Sequence, residues 1–143
     1  MLSGEYRHNC DEKFRLRLPA KFKKELDDGY VVTGASDGCL FVFSGYELKN
    51  LLEKTEKVPL FDNNLQKPLR MLYSSAYEVE EDSQGRFLLP AALREFAGIK
   101  KEVVFVGVGN RAEIWSSERW DNYSKNLSGN FDAVLSELGK YGI

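Results

Sequence analysis

Three basic residues, Lys13, Arg15 and Arg17, alternate near the amino end of this 143-residue chain. In an extended strand, side chains two positions apart lie on one face, so these three would form a cationic stripe while Leu16 and Leu18 point to the core. The planar donor fork of arginine can bind a guanine edge or a phosphate through two hydrogen bonds, whereas lysine supplies a point charge. The pattern predicts a strand that begins near Lys13 and contacts a nucleic-acid duplex.

The segment that carries this stripe occurs twice, at an offset of 71 to 72 residues. Asp11 and Arg15 correspond to Asp82 and Arg86, and Leu-Pro-Ala follows each pair. Aspartate in such turns accepts hydrogen bonds from backbone N–H groups, so we expect Asp11 and Asp82 to brace turns rather than to catalyse a reaction. Each copy is near the size at which a lone core becomes marginal, which favours one pseudo-symmetric unit built from both copies.

Bulk charge does not indicate a nucleic-acid-binding protein, because 20 Lys and Arg residues stand against 22 Asp and Glu residues. The distribution is more informative: residues 1–24 carry a net charge of +4, whereas residues 77–94 in the second copy carry −2. Since duplex affinity grows with each phosphate neutralised, we expect the first copy to dominate DNA contact. Arg15 is the predicted base-reading residue. The predicted supporting DNA contacts are Lys13, Arg17, Lys21, Lys23, Arg7 and Arg86.

Other chemistry in the sequence is weaker. An alternating Lys/Arg strand taken alone is more often a solvated face. His8, Cys10 and Cys39 could suggest a metal site, but their spacing matches no recognised zinc pattern, and a buried Cys beside a hydrogen-bonded His is more common. The carboxylates from Glu78 to Asp82 adjoin one another without a partner base. We predict no catalytic residue, no metal and no cofactor, since the sequence contains no phosphate-binding glycine loop and no serine-nucleophile elbow.

Each copy is predicted to run strand, tight turn, strand, short helix, two strands and helix. In the second copy, residues 77–80 and 86–89 have the pattern of a hairpin. Pro90 then favours the first turn of a helix, and Gly98 offers a left-handed stop. Pro19 has the same position in the first copy.

Further along, residues 103–108 and 112–115 predict a second hairpin with a buried first strand. Ser116 is a suitable N-cap for the helix that follows. Between the copies, residues 49–75 have helical spacing at both ends, with a break near Val58.

The duplicated Asp-x-x-x-Arg turn followed by Leu-Pro resembles the MraZ family, within the AbrB-like superfamily of swapped hairpins. Supporting features are Gly4-Glu5-Tyr6, Asp37-Gly38-Cys39-Leu40, Gly107-Val108-Gly109-Asn110 and Arg119-Trp120. The resemblance implies an α+β fold in which two tandem AbrB-like repeats of hairpin and short helix pack as one pseudo-symmetric double-split β-barrel with flanking helices. It implies no catalysis.

The resemblance also implies a bacterial transcriptional regulator that binds direct-repeat DNA upstream of the division and cell-wall gene cluster and represses its own operon. Relatives form octameric or dodecameric rings, so the expected partners are double-stranded DNA with repeated boxes and further copies of the chain. We expect a cytoplasmic, nucleoid-associated protein, since no apolar stretch is long enough to cross a bilayer. The alternative is an AbrB-type interaction scaffold or antitoxin-like adaptor, which would not require the basic stripe.

The predicted organisation follows the repeat. Residues 1–54 form the first AbrB-like repeat, residues 55–75 a connecting helical segment and residues 76–124 the second repeat. Residues 125–143 form a C-terminal helix whose apolar face docks on the core or on a neighbouring subunit.

Overall fold

The computed structural model describes residues 1–26 and 29–143, which form eight strands and six α-helices. The strands are β1 (Glu5–Asn9), β2 (Arg15–Leu16), β3 (Tyr30–Gly34), β4 (Leu40–Ser44), β5 (Tyr77–Val79), β6 (Phe87–Leu88), β7 (Glu102–Gly107) and β8 (Ala112–Ser116). The helices are α1 (Ala20–Glu25), α2 (Gly45–Thr55), α3 (Asn63–Ser74), α4 (Ala91–Ala97), α5 (Ser117–Ser128) and α6 (Phe131–Ser136). Short 3₁₀ turns are Ser36–Gly38 and Glu137–Tyr141.

Six strands form one antiparallel sheet in the order β1-β7-β8-β4-β3-β5. The outer strand of each copy pairs with a strand of the other copy: Arg7 of β1 faces Val104 of β7, and Glu78 of β5 faces Val31 of β3. Strands β4 and β8 pair at the centre, where the pseudo-twofold axis passes. The two copies therefore fold as one unit.

The mixed α+β class agrees with the sequence prediction. Apart from the large sheet, β2 and β6 form a two-stranded ribbon in which Leu16 lies opposite Phe87. Within residues 1–26 and 29–143 no ladder joins β1 to β5, so the sheet stays open and the double-split barrel stays a prediction.

The predicted hairpin of residues 77–80 with residues 86–89 is wrong in its pairing. Strand β5 pairs with β3, and β6 pairs with β2. In the described part of the chain, the two segments are joined by an isolated bridge between Glu81 and Phe87. Pairing across the copies places Leu16 and Phe87, 1% and 0% exposed, in the same core. Burial of both apolar side chains favours this exchange over a local hairpin.

The predicted strand start near Lys13 is also wrong. Strand β2 begins at Arg15, because residues 12 and 13 form a turn that is closed by a hydrogen bond from the Phe14 N–H to the Asp11 carbonyl oxygen (3.0 Å). Lys13 therefore lies in the turn and not on the strand.

The main core lies between the large sheet, the ribbon and the short helices α1 and α4. Phe22 of α1, Phe87 of β6 and Phe105 of β7 are its largest fully buried side chains. Because neighbouring strand residues point to opposite faces, Val104 joins a second, smaller cluster with Trp115 beneath α5. The ribbon and its two turns are thus anchored through buried side chains.

The helices begin and end where local chemistry predicts. Pro19 and Pro90 precede α1 and α4, and Gly98 ends α4 in the left-handed conformation (φ 64°). The Ser116 hydroxyl accepts a hydrogen bond from the Arg119 N–H at the start of α5 (3.1 Å). The predicted break between helices falls between Thr55 and Asn63.

The C-terminal residues differ from the single predicted helix. Residues 125–128 continue α5, and α6 and a 3₁₀ turn follow. The apolar side chains Phe131, Val134 and Leu138 are exposed, so this segment does not dock on the core of its own chain. Among the helices of the described residues, none is long and apolar enough to span a membrane.

Candidate nucleic-acid interface

In the first copy, the Asp11 carboxylate organises the turn before β2. One oxygen, Oδ1, accepts hydrogen bonds from the backbone N–H groups of Lys13 and Arg15, both at 2.9 Å. The other, Oδ2, accepts a hydrogen bond from Nε of the Arg15 side chain at 2.7 Å. These bonds, led by the one from the Arg15 backbone, hold the pKa of the Asp11 carboxyl below its ordinary value. The carboxylate thereby fixes both the loop and the guanidinium.

The second copy repeats this arrangement. Asp82 Oδ1 accepts hydrogen bonds from the backbone N–H groups of Gln84 and Arg86, and Oδ2 accepts one from Arg86 Nε, all at 2.9 Å. The Arg86 backbone bond is again the main cause of a lowered carboxyl pKa.

Each turn requires a left-handed residue before its arginine. Gly85 supplies it in the second copy (φ 75°), and Phe14 adopts it in the first (φ 58°). A side chain is disfavoured in this conformation. The Phe14 ring compensates by packing beneath the Arg94 guanidinium, whose carbon lies 3.7 Å from the ring centroid.

The ribbon brings the two turns together into one cluster, which we call the Asp-Arg quartet: Asp11, Arg15, Asp82 and Arg86. Across the copies, Arg86 Nη1 lies 3.6 Å from Asp11 Oδ2, and Arg15 Nη1 lies 4.0 Å from Asp82 Oδ2. Two positive and two negative groups alternate, with side chains 23–33% exposed. Within the described residues, the Nη atoms of both arginines make no hydrogen bond, so their outer edges are available to a ligand.

The remaining predicted cations fall into two groups. Lys13, Arg17 and Lys21 are exposed and form no ion pair with any described residue. Lys23 instead pairs with Glu81 of the second copy (Nζ to Oε2, 2.8 Å), which partly neutralises the acidic segment beside the second turn.

Arg7 lies on the edge strand β1 among three carboxylates. Its terminal nitrogens are 2.6 Å from Asp121, 3.3 Å from Glu102 and 3.5 Å from Glu5. The hydrogen bond to Asp121 is the main cause of a raised Arg7 pKa. Its charge is therefore already compensated within the chain.

The residues of the suspected metal site do not converge. Cys10 belongs to the main core and Cys39 to the smaller cluster, while His8 Nδ1 lies 2.9 Å from the Arg17 carbonyl oxygen, at hydrogen-bond distance. Burial raises the pKa of the Cys10 thiol to about 11 and that of the Cys39 thiol to about 12. Among residues 1–26 and 29–143, no group of three or more His, Cys, Asp or Glu residues could hold a metal ion.

Sequence reasoning missed the cross-copy contacts of the quartet and the stacking of Arg94 on Phe14. The matched spacing of the two Asp-x-x-x-Arg motifs was a signal for the first, since a twofold arrangement brings equivalent turns together. The second had no such signal, because Arg94 lies 80 positions further along the chain.

Comparisons with known proteins agree with the duplicated motif. A family model described as "MraZ protein, putative antitoxin-like" matches residues 1–70 and 72–138. A protein of Caldanaerobacter subterraneus subsp. tengcongensis named "Transcriptional regulator MraZ" is 43% identical over 143 residues, covering 100% of both chains. Proteins of the same name from Natranaerobius thermophilus and Ligilactobacillus salivarius are 43% and 44% identical, covering 100% and 96% of both chains. This chain belongs to the MraZ family, and its relatives support a role in transcriptional regulation.

Proposed function

We propose that this protein is a sequence-specific DNA-binding transcriptional regulator that acts through the Asp-Arg quartet and the cations around it. Its targets are direct repeats upstream of the bacterial division and cell-wall gene cluster, and it represses its own operon. The observation that carries the proposal is the juxtaposition of two guanidinium groups, one from each copy, whose Nη edges are free of hydrogen bonds in the described structure.

The chemistry of the quartet suits base and phosphate recognition. Each aspartate holds Nε of its arginine, which fixes the guanidinium plane before a ligand arrives and reduces the entropy lost on binding. The opposite edge of a guanidinium can donate two hydrogen bonds to a guanine edge or to a phosphate. Arg15 then reads sequence, and Arg86 supports it from the second turn.

The surrounding cations provide affinity without sequence preference. Lys13, Arg17 and Lys21 are exposed and unpaired within the described residues, so they contact phosphates most effectively. Lys23 and Arg7 complete the set with smaller contributions, because carboxylates already bind both.

The proposal includes a ring-shaped homo-oligomer, octameric or dodecameric, that associates with the nucleoid. A single quartet makes few contacts and binds weakly, whereas several quartets spaced to match repeated boxes turn later contacts into intramolecular ones. The gain in avidity is on the order of 10² or more. The β2–β6 exchange between the copies supports the double-split barrel as the architecture of each subunit.

Gel-shift titration on the DNA upstream of the gene for this protein tests the proposal. We expect Arg15→Ala to abolish binding to tandem boxes and Arg86→Ala to weaken it less, with particle mass unchanged. Arg70→Ala, on the exposed surface of α3, is the matched control and should bind as the wild type does. Equal losses at positions 15 and 86 would contradict the ranking. Full duplex binding by a variant with Lys13, Arg15 and Arg17 all replaced would remove these cations from the mechanism, and a wild type that binds no duplex would favour the adaptor alternative.

A further inference from the structure

Each Asp-x-x-x-Arg turn is approached by a basic residue from the short helix of the other copy. Lys23 of α1 reaches the second turn, where its Nζ is 3.2 Å from the position that a Cβ would occupy at Gly85. Arg94 of α4 reaches the first turn, where its guanidinium carbon is 3.7 Å from the centroid of the Phe14 ring. The repeat relates Lys23 to Arg94 and Gly85 to Phe14. The two contacts are therefore equivalent under the pseudo-twofold symmetry.

The charges at the two places differ. At the second turn, Lys23 Nζ lies 2.8 Å from Glu81 Oε2, so a carboxylate neutralises this cation. At the first turn, the repeat places Cys10 where the second turn has Glu81. Burial raises the pKa of the Cys10 thiol to about 11, so the thiol carries no charge at neutral pH. The carboxylate that binds Lys23 thus has no counterpart beside Arg94.

No other carboxylate of the described residues takes that place. Within residues 1–26 and 29–143, the Arg94 side chain forms neither an ion pair nor a hydrogen bond. The carboxylate of the turn itself, Asp11, is occupied by Arg15 and by the backbone. Glu95, next to Arg94 in the chain, is exposed and pairs with no described cation. The positive charge of Arg94 is therefore not compensated by a close negative group.

The contact with Phe14 leaves the donors of Arg94 available to a ligand. The ring occupies a face of the guanidinium, whereas the N–H groups point outward in the guanidinium plane. Arg94 is half-buried, so part of its side chain contacts solvent. Phe14 stands between Lys13 and Arg15 in the chain, which holds Arg94 beside the residues of the proposed DNA contact. A phosphate of the duplex would supply the negative charge and the acceptor oxygens that this group lacks.

We propose that Arg94, a residue of the second copy, binds a duplex phosphate next to the first turn. The first turn then presents two uncompensated cations besides the quartet, Lys13 and Arg94. At the equivalent positions, the second turn has Gln84 and the neutralised Lys23. The inference rests on the proposed function and adds a contact that a charge count over residues 1–24 leaves out. It also gives a physical reason for the stronger DNA contact of the first turn.

Fluorescence anisotropy with the full chain and tandem-box DNA over a salt series tests the inference. For each binding hairpin, Arg94→Gln should lower the affinity about tenfold at about 0.1 M salt, and the slope of log affinity against log salt by about one. Arg94→Lys retains the charge and should retain the slope. Lys23→Gln, at the equivalent position, is the matched control and should lower the slope less, because Glu81 already binds this cation.

The slope distinguishes a phosphate contact from a structural role. If Arg94 acts only by packing on Phe14, Arg94→Gln lowers the affinity without changing the slope, and the inference is overturned. Equal reductions of the slope at positions 94 and 23 also overturn it. Light scattering and thermal unfolding of each variant establish that particle mass and fold are retained. A lower particle mass for Arg94→Gln would place the residue in a contact between subunits and contradict the inference.

Local cleavage of DNA measures proximity and does not depend on a change in affinity. Arg94→Cys, with an iron chelate coupled to the new thiol, should cleave bound tandem-box DNA beside the contacted phosphates at low salt. Arg70→Cys with the same chelate, on the exposed surface of α3, should leave the DNA intact. The native Cys10 and Cys39 are 5% and 1% exposed and do not compete for the label. Bound DNA that is not cleaved from position 94 would overturn the inference.

The outcomes separate this inference from the proposed function. If Arg15→Ala abolishes binding but Arg94→Gln leaves the slope unchanged, the inference is overturned and the role of the quartet is retained. A wild type that binds no duplex overturns both.

Discussion

Asp11 and Asp82 each use one carboxylate oxygen for the backbone and the other for an arginine side chain. The acid thus couples the shape of the turn to the orientation of the guanidinium that we propose contacts DNA. A substitution that changes the turn therefore also changes the orientation of the guanidinium, even when the arginine itself is retained.

The two aspartates should make the free energy of unfolding depend on pH in the acid range. Their pKa values in the folded chain lie below the ordinary 3.8, so they stabilise the fold above that pH, and the contribution is lost as pH falls through the folded values. Urea unfolding at about pH 5 and about pH 3 measures how much the free energy of unfolding falls between these two pH values. This fall should be larger for the wild type than for the Asp11→Asn/Asp82→Asn variant. An equal fall in both proteins would show that the two carboxylates do not stabilise the fold in this way.

Phe14 allows backbone strain to be separated from side-chain packing. Phe14→Ala loses the stacking of Arg94 and keeps the left-handed backbone, whereas Phe14→Gly loses the stacking and relieves the strain. We expect the glycine variant to be more stable than the alanine variant by about 1 kcal/mol in denaturant unfolding. Gly85→Ala, at the equivalent position, should destabilise by a similar amount. A more stable alanine variant at position 14 would contradict the strain argument.

Part of the site follows from local sequence. The Asp-x-x-x-Arg spacing places each pair within one turn, where the contacts are local. The approach of Arg15 to Asp82 is not local, because it depends on which strand β2 selects as its partner 71 residues away. Counting basic residues in the sequence also overestimates how freely Arg7 and Lys23 can contact DNA. The carboxylates nearest to them, Asp121 and Glu81, come from distant segments of the chain.

At the scale of elements, sequence patterns identify strands and helix caps better than they identify which strands pair with each other. Alternation shows which face of a strand is buried but carries no information on the neighbouring strand. The segments 77–80 and 86–89 are adjacent in sequence, and a hairpin was therefore the local expectation. The structure pairs them with the other copy, where Phe87 meets Leu16 in the main core.

The exchange of strands predicts that the halves depend on each other. A fragment of residues 1–75 lacks the partners of β1, β2 and β3 that the second copy supplies, and residues 76–143 lack the reverse set. Each fragment alone should show no cooperative thermal transition by circular dichroism, and an equimolar mixture should recover a folded complex. Cooperative unfolding of either fragment alone would contradict the argument.

At the scale of the whole molecule, the charges are segregated. Residues 1–24 carry +4 although the chain carries −2, so the remainder carries −6. The acidic remainder repels a duplex from other surfaces, while the basic segment attracts it. In the proposed function, the basic segment therefore orients the protein on DNA.

This segregation gives a prediction for salt dependence. Binding to tandem boxes should fall steeply with added salt, because each phosphate contact releases counterions. Lys13→Gln, at an exposed cation that forms no ion pair with any described residue, should reduce the slope of log affinity against log salt by about one per binding hairpin. Arg7→Gln removes the same charge from a group already bound by three carboxylates and should leave the slope nearly unchanged. Fluorescence anisotropy over a salt series measures both slopes. Equal reductions of the slope in the two variants would mean that Arg7 leaves its carboxylates to contact DNA. An affinity that does not change with salt would remove phosphate contact from the mechanism.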